Sequence, residues 1–196
     1  CSLKRIKHNT MKLLSTSPKV EKGEKRGYLT AILYLAPHTL SGLNVCPHAS
    51  PGCAHACLNR SGMGDLFPSV QRARIAKTRY FIEQRSAFLA QLEREISAHI
   101  RKARRKRMVP VIRLNGTSDI LWERVKLSSG LSLIDTFPKI QFYDYTKFPM
   151  AIRANRPGNY HLTFSRSEVT ADSVIVATVS AGTSVAVPFS VRKGRP

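Results

Sequence analysis

Residues 28–36 read Tyr-Leu-Thr-Ala-Ile-Leu-Tyr-Leu-Ala and are followed by Pro37. A nearly continuous apolar run without period-two alternation is typical of a strand buried on both faces, as in a parallel sheet. Pro37 ends the run because proline lacks the N–H group that a central strand needs. We therefore predict a first strand at 28–36, so that the next segment leaves from its carboxyl end.

That next segment carries three of the four cysteines in the chain. Residues 45–60 read Val-Cys-Pro-His-Ala-Ser-Pro-Gly-Cys-Ala-His-Ala-Cys-Leu-Asn-Arg, which places Cys46, Cys53 and Cys57 within twelve residues. Two prolines and a glycine between the first two cysteines favour turns, which allow side chains to converge on one point. The pattern predicts a metal-binding loop.

Three thiolates leave two kinds of metal site open. They can bind three irons of a 4Fe-4S cluster and leave the fourth iron open to a small ligand, and soft sulfur donors select iron-sulfur or zinc. Zinc would need a fourth ligand, which His48 or His55 could provide. The spacing Cys46-x6-Cys53-x3-Cys57 lacks the short Cys-x2-Cys knuckle of many zinc sites. The cluster is therefore preferred, with zinc as the alternative.

Polar side chains lie at or just after the carboxyl ends of three further predicted strands, at 109–114, 140–145 and 160–164. Because the carboxyl ends of parallel strands share one edge, where such folds place chemistry, these side chains are expected beside the cysteine loop. Asp119 and Asp144 are equally well explained as caps of the next helix. The candidates are Asn115, Thr117, Ser118 and Asp119, then Asp144 and Lys147, then Ser165 and Glu168.

The alternation of strands with helical segments predicts an α/β fold with a mostly parallel sheet of about five strands, the fifth at 185–189. Helical periodicity covers 69–106, with a break expected near 83–86, and a further helical segment is expected at 122–137, interrupted by Ser128-Ser129-Gly130. The predicted organisation is a basic arm at 1–26, a single domain at 27–190 and a basic tail at 191–196.

The charge balance points to an anionic partner. Lys and Arg number 32 against 12 Asp and Glu, a formal charge of +20, and nucleic acid is the usual partner of such a surplus. Residues 101–107 read Arg-Lys-Ala-Arg-Arg-Lys-Arg at the predicted end of a helix, where cations are also favoured by the helix dipole. The candidate phosphate contacts are Arg101, Lys102, Arg104, Arg105, Lys106 and Arg107.

No stretch reaches the roughly 18 to 20 apolar residues of a membrane span, and the basic start has no apolar core followed by a cleavage site. We therefore expect no membrane partner and a cytoplasmic location. In that reducing compartment, cysteines are more often ligands or plain core residues than disulfide partners, so three ordinary core cysteines remain the alternative to a metal loop.

Four segments carry a resemblance: residues 44–59, 113–120 (Arg-Leu-Asn-Gly-Thr-Ser-Asp-Ile), 142–147 (Phe-Tyr-Asp-Tyr-Thr-Lys) and 159–168 (Asn-Tyr-His-Leu-Thr-Phe-Ser-Arg-Ser-Glu). Together they resemble a phage-encoded family named after a gene product of a mycobacteriophage, whose name implies no activity. The layout is also similar to the radical S-adenosylmethionine (SAM) enzymes, although the cysteine spacing departs from their usual three and two. That similarity implies a partial βα barrel with SAM bound, and a phage protein would work in the host cytoplasm.

Two functions of different class follow. The first is a phage-type iron-sulfur protein, radical-SAM-like, acting on or near nucleic acid. Its catalytic candidates are Asp119, Asp144, Lys147 and Glu168, and its cofactor-binding candidates are Asn115, Thr117, Ser118 and Ser165. The alternative is a non-catalytic nucleic-acid-binding protein that zinc or a cluster stabilises. A weaker third interpretation is a phosphodiesterase with a hard divalent metal at Asp119, Asp144 and Glu168 and His161 as base.

Overall fold

The computed structural model describes residues 11–57 and 66–188 and is built on one six-stranded sheet. The strands follow one another in chain order, and every neighbouring pair is parallel except the first, which is antiparallel. The predicted α/β class and mostly parallel sheet are confirmed, with six strands instead of about five. The strands are β1 Leu14–Ser15, β2 Tyr28–Leu33, β3 Val109–Arg113, β4 Gln141–Thr146, β5 Tyr160–Ser165 and β6 Val185–Ala186.

The helices of the described residues lie between these strands. The predicted break in the long helical segment is confirmed, at Gln84. The α-helices are α1 Pro18–Glu24, α2 Pro51–His55, α3 Pro68–Glu83, α4 Arg85–Arg105, α5 Leu133–Thr136 and α6 Asp172–Ser180, and Trp122–Arg124 and Met150–Arg153 are short 3-10 helices.

The segment predicted to be helical at 122–137 is helical only near its two ends, and the predicted interruption at 128–130 is confirmed. The structure has the 3-10 turn Trp122–Arg124, a bridge between Lys126 and Ser132, and the short helix α5. Gly130 adopts a φ of 81°, a left-handed conformation that a helix cannot contain. Ser132 then caps α5 by accepting a hydrogen bond from the backbone N–H of Asp135 at 3.1 Å. The turn therefore divides the apolar segment in two.

Helix α4 covers one face of the sheet and runs from its carboxyl edge to its amino edge. Glu95 accepts hydrogen bonds beside β1, opposite the end of β2, whereas His99 Nε2 lies 2.9 Å from the carbonyl oxygen of Leu29, near the start of β2. The buried residues of α4 recur at helical spacing, which gives it one apolar side. They are Phe88, Leu89, Leu92, Ile96 and Ala103.

The described part of the predicted basic arm packs against this helix. Leu13 and Leu14 are buried, and their backbone N–H groups donate to the Glu95 carboxylate at 2.8 to 3.0 Å. The Lys77 ammonium donates to the carbonyl oxygen of Leu13 at 2.9 Å. The described part of the arm predicted at 1–26 therefore contains β1 and α1, and Leu13 and Leu14 hold it to partners distant in sequence.

Several predictions fall partly or wholly outside the described residues: residues 1–10 of the arm, residue 189 of the last strand and the tail at 191–196. The division into arm, domain and tail stays a prediction. Within residues 11–57 and 66–188, no helix combines the length and the apolar character needed to cross a bilayer.

Gly116 allows the loop after β3 to pass directly against β2. A Cβ there would lie 2.7 Å from the carbonyl oxygen of Leu33 and from side-chain atoms of Ile32 and Tyr34. We expect Gly116→Ala to lower the free energy of unfolding by about 1–3 kcal/mol through overpacking, measured by urea denaturation. Gly158→Ala is the control, since its Cβ would meet nothing within 4 Å. Equal effects of the two substitutions would contradict the close approach.

Candidate functional site

The carboxyl edge of the parallel sheet gathers the cysteine loop and the polar residues that follow the strands. The backbone N–H of Asp119 donates to the carbonyl oxygen of Val45 at 2.9 Å, which joins the loop after β3 to the start of the cysteine loop. The Thr117 hydroxyl donates to the carbonyl oxygen of Leu35, and the Thr117 carbonyl oxygen accepts from Cys46 Sγ at 3.7 Å. The cysteine loop is therefore held against the end of β3.

Glu168 ties the same loop to the segment after β5. Its carboxylate accepts from Ser50 Oγ at 2.8 Å and from the backbone N–H of Gly52 at 2.7 Å. Ser50 also caps helix α2 by accepting from the N–H of Cys53 at 3.2 Å. The Ser50 hydrogen bond is the main reason that the pKa of Glu168 lies below its usual value. Glu168, although exposed, therefore has a structural contact that fixes the position of Cys53.

The three cysteines are half-buried free thiols that influence one another. The pKa of Cys46 is raised to about 11, mainly by burial, and negative charge on Asp119, Cys57 and Cys53 contributes to the rise. Burial is also the main cause that raises the pKa of Cys53, with Cys57 adding to it and Lys147 opposing it. In the described part of the chain, no three His, Cys, Asp or Glu side chains are placed to hold a single metal ion.

Lys147 supplies the positive charge beside Cys53. Its ammonium donates to the carbonyl oxygens of Ser165 at 3.1 Å and Arg166 at 3.3 Å, and to Ser165 Oγ at 3.4 Å. Because these acceptors are neutral, the charge of Lys147 is not cancelled by them. Lys147 and Ser165, predicted from separate strands, meet directly.

Asp119 bridges the ends of β3 and β4. Its carboxylate accepts from Thr146 Oγ1 at 2.8 Å and from the backbone N–H of Lys147 at 2.7 Å, and Arg153 Nη1 lies 3.7 Å away. Burial raises the pKa of Asp119, while these hydrogen bonds oppose the rise. The carboxylate thus fixes the backbone that carries Lys147.

Three of the predicted site residues lie beneath the edge: Asn115, Ser118 and Asp144. Their polar atoms already form hydrogen bonds inside the fold. Asn115 Oδ1 accepts from Ser118 Oγ, from the N–H of Ile120 and from Trp122 Nε1 at 2.9 to 3.1 Å. The Asp144 carboxylate, 1% exposed as a residue, accepts from the N–H of Asn115 and the Tyr160 hydroxyl, both at 2.8 Å. These contacts give all three a positioning role, and their predicted catalytic and cofactor roles stay predictions.

Comparison with known proteins places the chain in a family. The sequence model of Gene product 88 matches residues 3–196. The chain belongs to the Gene product 88 family. The match supports the expected phage gene-product family, and neither the curated proteins nor the solved structures contain a match. In this Gene product 88 protein, the edge described above is formed largely by the segments that carried the resemblance.

A buried ion pair lies beneath the edge and contacts it, and no sequence pattern indicated this pair. Arg153 donates from Nε and Nη2 to the two carboxylate oxygens of Glu123 at 2.8 and 2.7 Å, and from Nη2 to Tyr160 OH at 3.2 Å. Arg153 is 1% exposed and Glu123 is 8% exposed. In the sequence, Arg153 is indistinguishable from its neighbour Arg156, since both lie in a polar loop.

The face of the sheet opposite α4 carries an arginine among tyrosines. Burial alternates along β4, with Phe142, Asp144 and Thr146 buried and the tyrosines between them more exposed. The guanidinium of Arg113 lies 5.1 Å from the ring centre of Tyr145 and 5.9 Å from that of Tyr143. The period-two pattern around Asp144 could have revealed this face.

The basic run at 101–107 of this Gene product 88 protein lies at the other edge. It ends α4 and directly precedes β3, so it lies at the amino edge, opposite the cysteines. Lys106 pairs with Glu24 of α1 at 3.4 Å. The six predicted basic residues are all exposed, and the fold does not bring them to the cysteine loop.

Proposed function

We propose that this Gene product 88 protein is a phage-type iron-sulfur protein that acts on or near nucleic acid in the host cytoplasm. The observation that carries the proposal is the gathering of three half-buried thiols at the carboxyl edge of a parallel sheet. Such edges are where α/β folds bind ligands and carry out chemistry. Cys46, Cys53 and Cys57 would hold the cluster.

The donor set fits a 4Fe-4S cluster better than a single zinc ion. Three soft thiolates suit iron-sulfur, and a cluster holds its thiolates further apart than one ion does. His48, a possible fourth zinc ligand, instead packs its ring 4.2 Å from that of Phe148. A cluster bound by three thiolates would supply one-electron chemistry and one iron open to a small ligand.

The surrounding residues suit a radical-SAM-like site. The chain-order sheet is the strand order of a singly wound partial barrel, which we propose for this fold. Arg113, Tyr143 and Tyr145 would then face the barrel interior, where aromatic rings and a cation can bind a base and a carboxylate of SAM. Lys147 would hold a positive charge next to the thiolates, and Asp119 and Glu168 would fix the two ends of the loop.

The nucleic-acid part of the proposal depends on charge. The formal charge of +20 and the exposed basic run at the end of α4 favour contact with phosphates. Because that run lies at the edge opposite the cysteines, it would anchor a long polymer and not the reacting group itself.

The test is the metal content of anaerobically purified protein. We expect a brown protein with about four irons and as much acid-labile sulfide per chain, whose visible absorption bleaches with dithionite. A colourless protein with one zinc per chain and no sulfide would contradict the cluster.

The zinc outcome would favour the second candidate, a non-catalytic nucleic-acid-binding protein with a metal-stabilised loop. One observation supports this candidate: the carboxylates of Asp119, Asp144 and Glu168 all accept structural hydrogen bonds in the described fold. That protein would bind oligonucleotides but carry no reactive cofactor.

A further inference from the structure

A cleft of about 960 Å³ runs along the side of α4 that faces β1 and β2. Its walls are residues 11–16, the β2 residues Leu29 and Ala31, and one side of α4. Tyr80 and Gln84 line one part of it, and Lys102 and Arg105 another. Because α4 runs from the carboxyl edge to the amino edge, the cleft extends between the two edges of the sheet.

The lining of the cleft carries more positive than negative charge. Its cations are Lys12, Arg94, Lys102 and Arg105. The carboxylate that lines it, Glu95, is occupied by the backbone N–H groups of the segment at 13–14. Burial lowers the pKa of the histidine in the lining, His99, which favours a neutral imidazole at pH 7. The surplus favours an anionic occupant.

The spacing of these cations suits a chain of phosphates and not one phosphate. Arg94, Lys102 and Arg105 occupy one side of α4, and eleven residues at a rise of 1.5 Å separate the first and last by about 16 Å. Small side chains line the same side of the helix, one between Arg94 and Lys102 and two on the amino-terminal side of Arg94, which leaves room for a ligand. They are Ala87, Ala90 and Ala98.

We propose that this cleft binds single-stranded nucleic acid, with Arg94, Lys102 and Arg105 contacting phosphates along the strand and Tyr80 beside a base. A basic groove with an aromatic side chain is the usual way in which proteins hold single strands. The proposal rests on the nucleic-acid half of the proposed function and not on the cluster.

The proposal divides the basic run at 101–107 into residues that line the cleft and residues that do not. Lys102 and Arg105 line it, whereas Arg104 and Arg107 are not among its lining residues. The two pairs belong to the same run and remove the same charge when changed to glutamine. They therefore separate a defined site from a general attraction between a basic protein and a polyanion.

The experiment compares Lys102→Gln/Arg105→Gln with Arg104→Gln/Arg107→Gln in the full chain. Binding of a labelled oligothymidine is followed by fluorescence anisotropy over a series of salt concentrations, with folding checked by circular dichroism. We expect the cleft pair to weaken binding about tenfold and to reduce the salt slope by about 1.4, the value for two lost single-strand contacts. The control pair should weaken binding by about twofold or less, since it loses long-range attraction alone.

Each other outcome overturns a defined statement. Equal weakening by the two pairs would refute the cleft while leaving nucleic-acid binding intact. No binding by the wild-type chain would refute both the cleft and the nucleic-acid half of the proposed function, but not the cluster. If ATP or pyrophosphate displaces the oligonucleotide at comparable concentration, the cleft is a site for a small phosphate ligand. That result would overturn the proposal of a single strand.

Discussion

Replacing Arg153 with methionine is expected to lower the free energy of unfolding by about 3–5 kcal/mol, the usual cost of breaking a buried ion pair by removing one partner. The substitution leaves the Glu123 carboxylate buried without its guanidinium, and Tyr160 OH loses a donor. Urea denaturation at pH 7 measures the change. Since Arg153 also lies 3.7 Å from Asp119, the loss should loosen the edge that carries Lys147.

Arg166→Met is the matched control, because Arg166 forms an ion pair of similar length, 2.8 Å to Asp172, but on the surface. Exposed pairs contribute about 0–1 kcal/mol. The double variant Arg153→Met/Glu123→Gln should recover part of the loss, since no buried charge is then left alone. An Arg153→Met effect as small as that of Arg166→Met would contradict the buried network.

The second large effect is a pH dependence that Asp144 imposes on stability. Burial raises the pKa of Asp144 to about 7, although the nearby Arg113 opposes the rise. The ordinary value is about 3.9, so between these values the folded chain holds a proton that the unfolded chain releases. Stability should therefore fall by on the order of 2–4 kcal/mol as pH rises from 4 to 8.

Asp144→Asn tests this by removing the titration while keeping the shape of the side chain. Between pH 4 and 8, we expect the unfolding free energy of this variant to fall by about 2–4 kcal/mol less than that of the wild type. Asp119, whose pKa burial raises, and His99, whose pKa burial lowers, titrate in both proteins, so the difference isolates Asp144. Parallel pH profiles of the two proteins would show that Asp144 is ionised when folded.

The central strands could be predicted from the sequence because each is a short buried apolar run that ends in polar residues. The runs at 28–36, 109–114, 140–145 and 160–164 each contain most of an observed strand. Parallel pairing then requires that the residues after them share one edge. The meeting of Lys147 with Ser165, and of Glu168 with Ser50, follows from that topology.

The remaining features depend on partners distant in sequence. Strand β1 is two residues long and exists through its pairing with Leu33 and Ile32 and the contact of Glu95 with its backbone. The burial of Arg153 depends on Glu123, thirty residues away. Three-dimensional contacts are also needed to show which polar groups are used up inside the fold, as in Asn115.

The most direct test of the account is the iron content of the four single Cys→Ser variants after anaerobic purification. Cys46→Ser, Cys53→Ser and Cys57→Ser should each lose most of the iron and sulfide, because each removes one of three thiolate ligands. Cys1→Ser, which changes the cysteine outside the loop, should keep the wild-type amount. Full iron in any of the three loop variants, or a loss in all four alike, would contradict a cluster held by this loop.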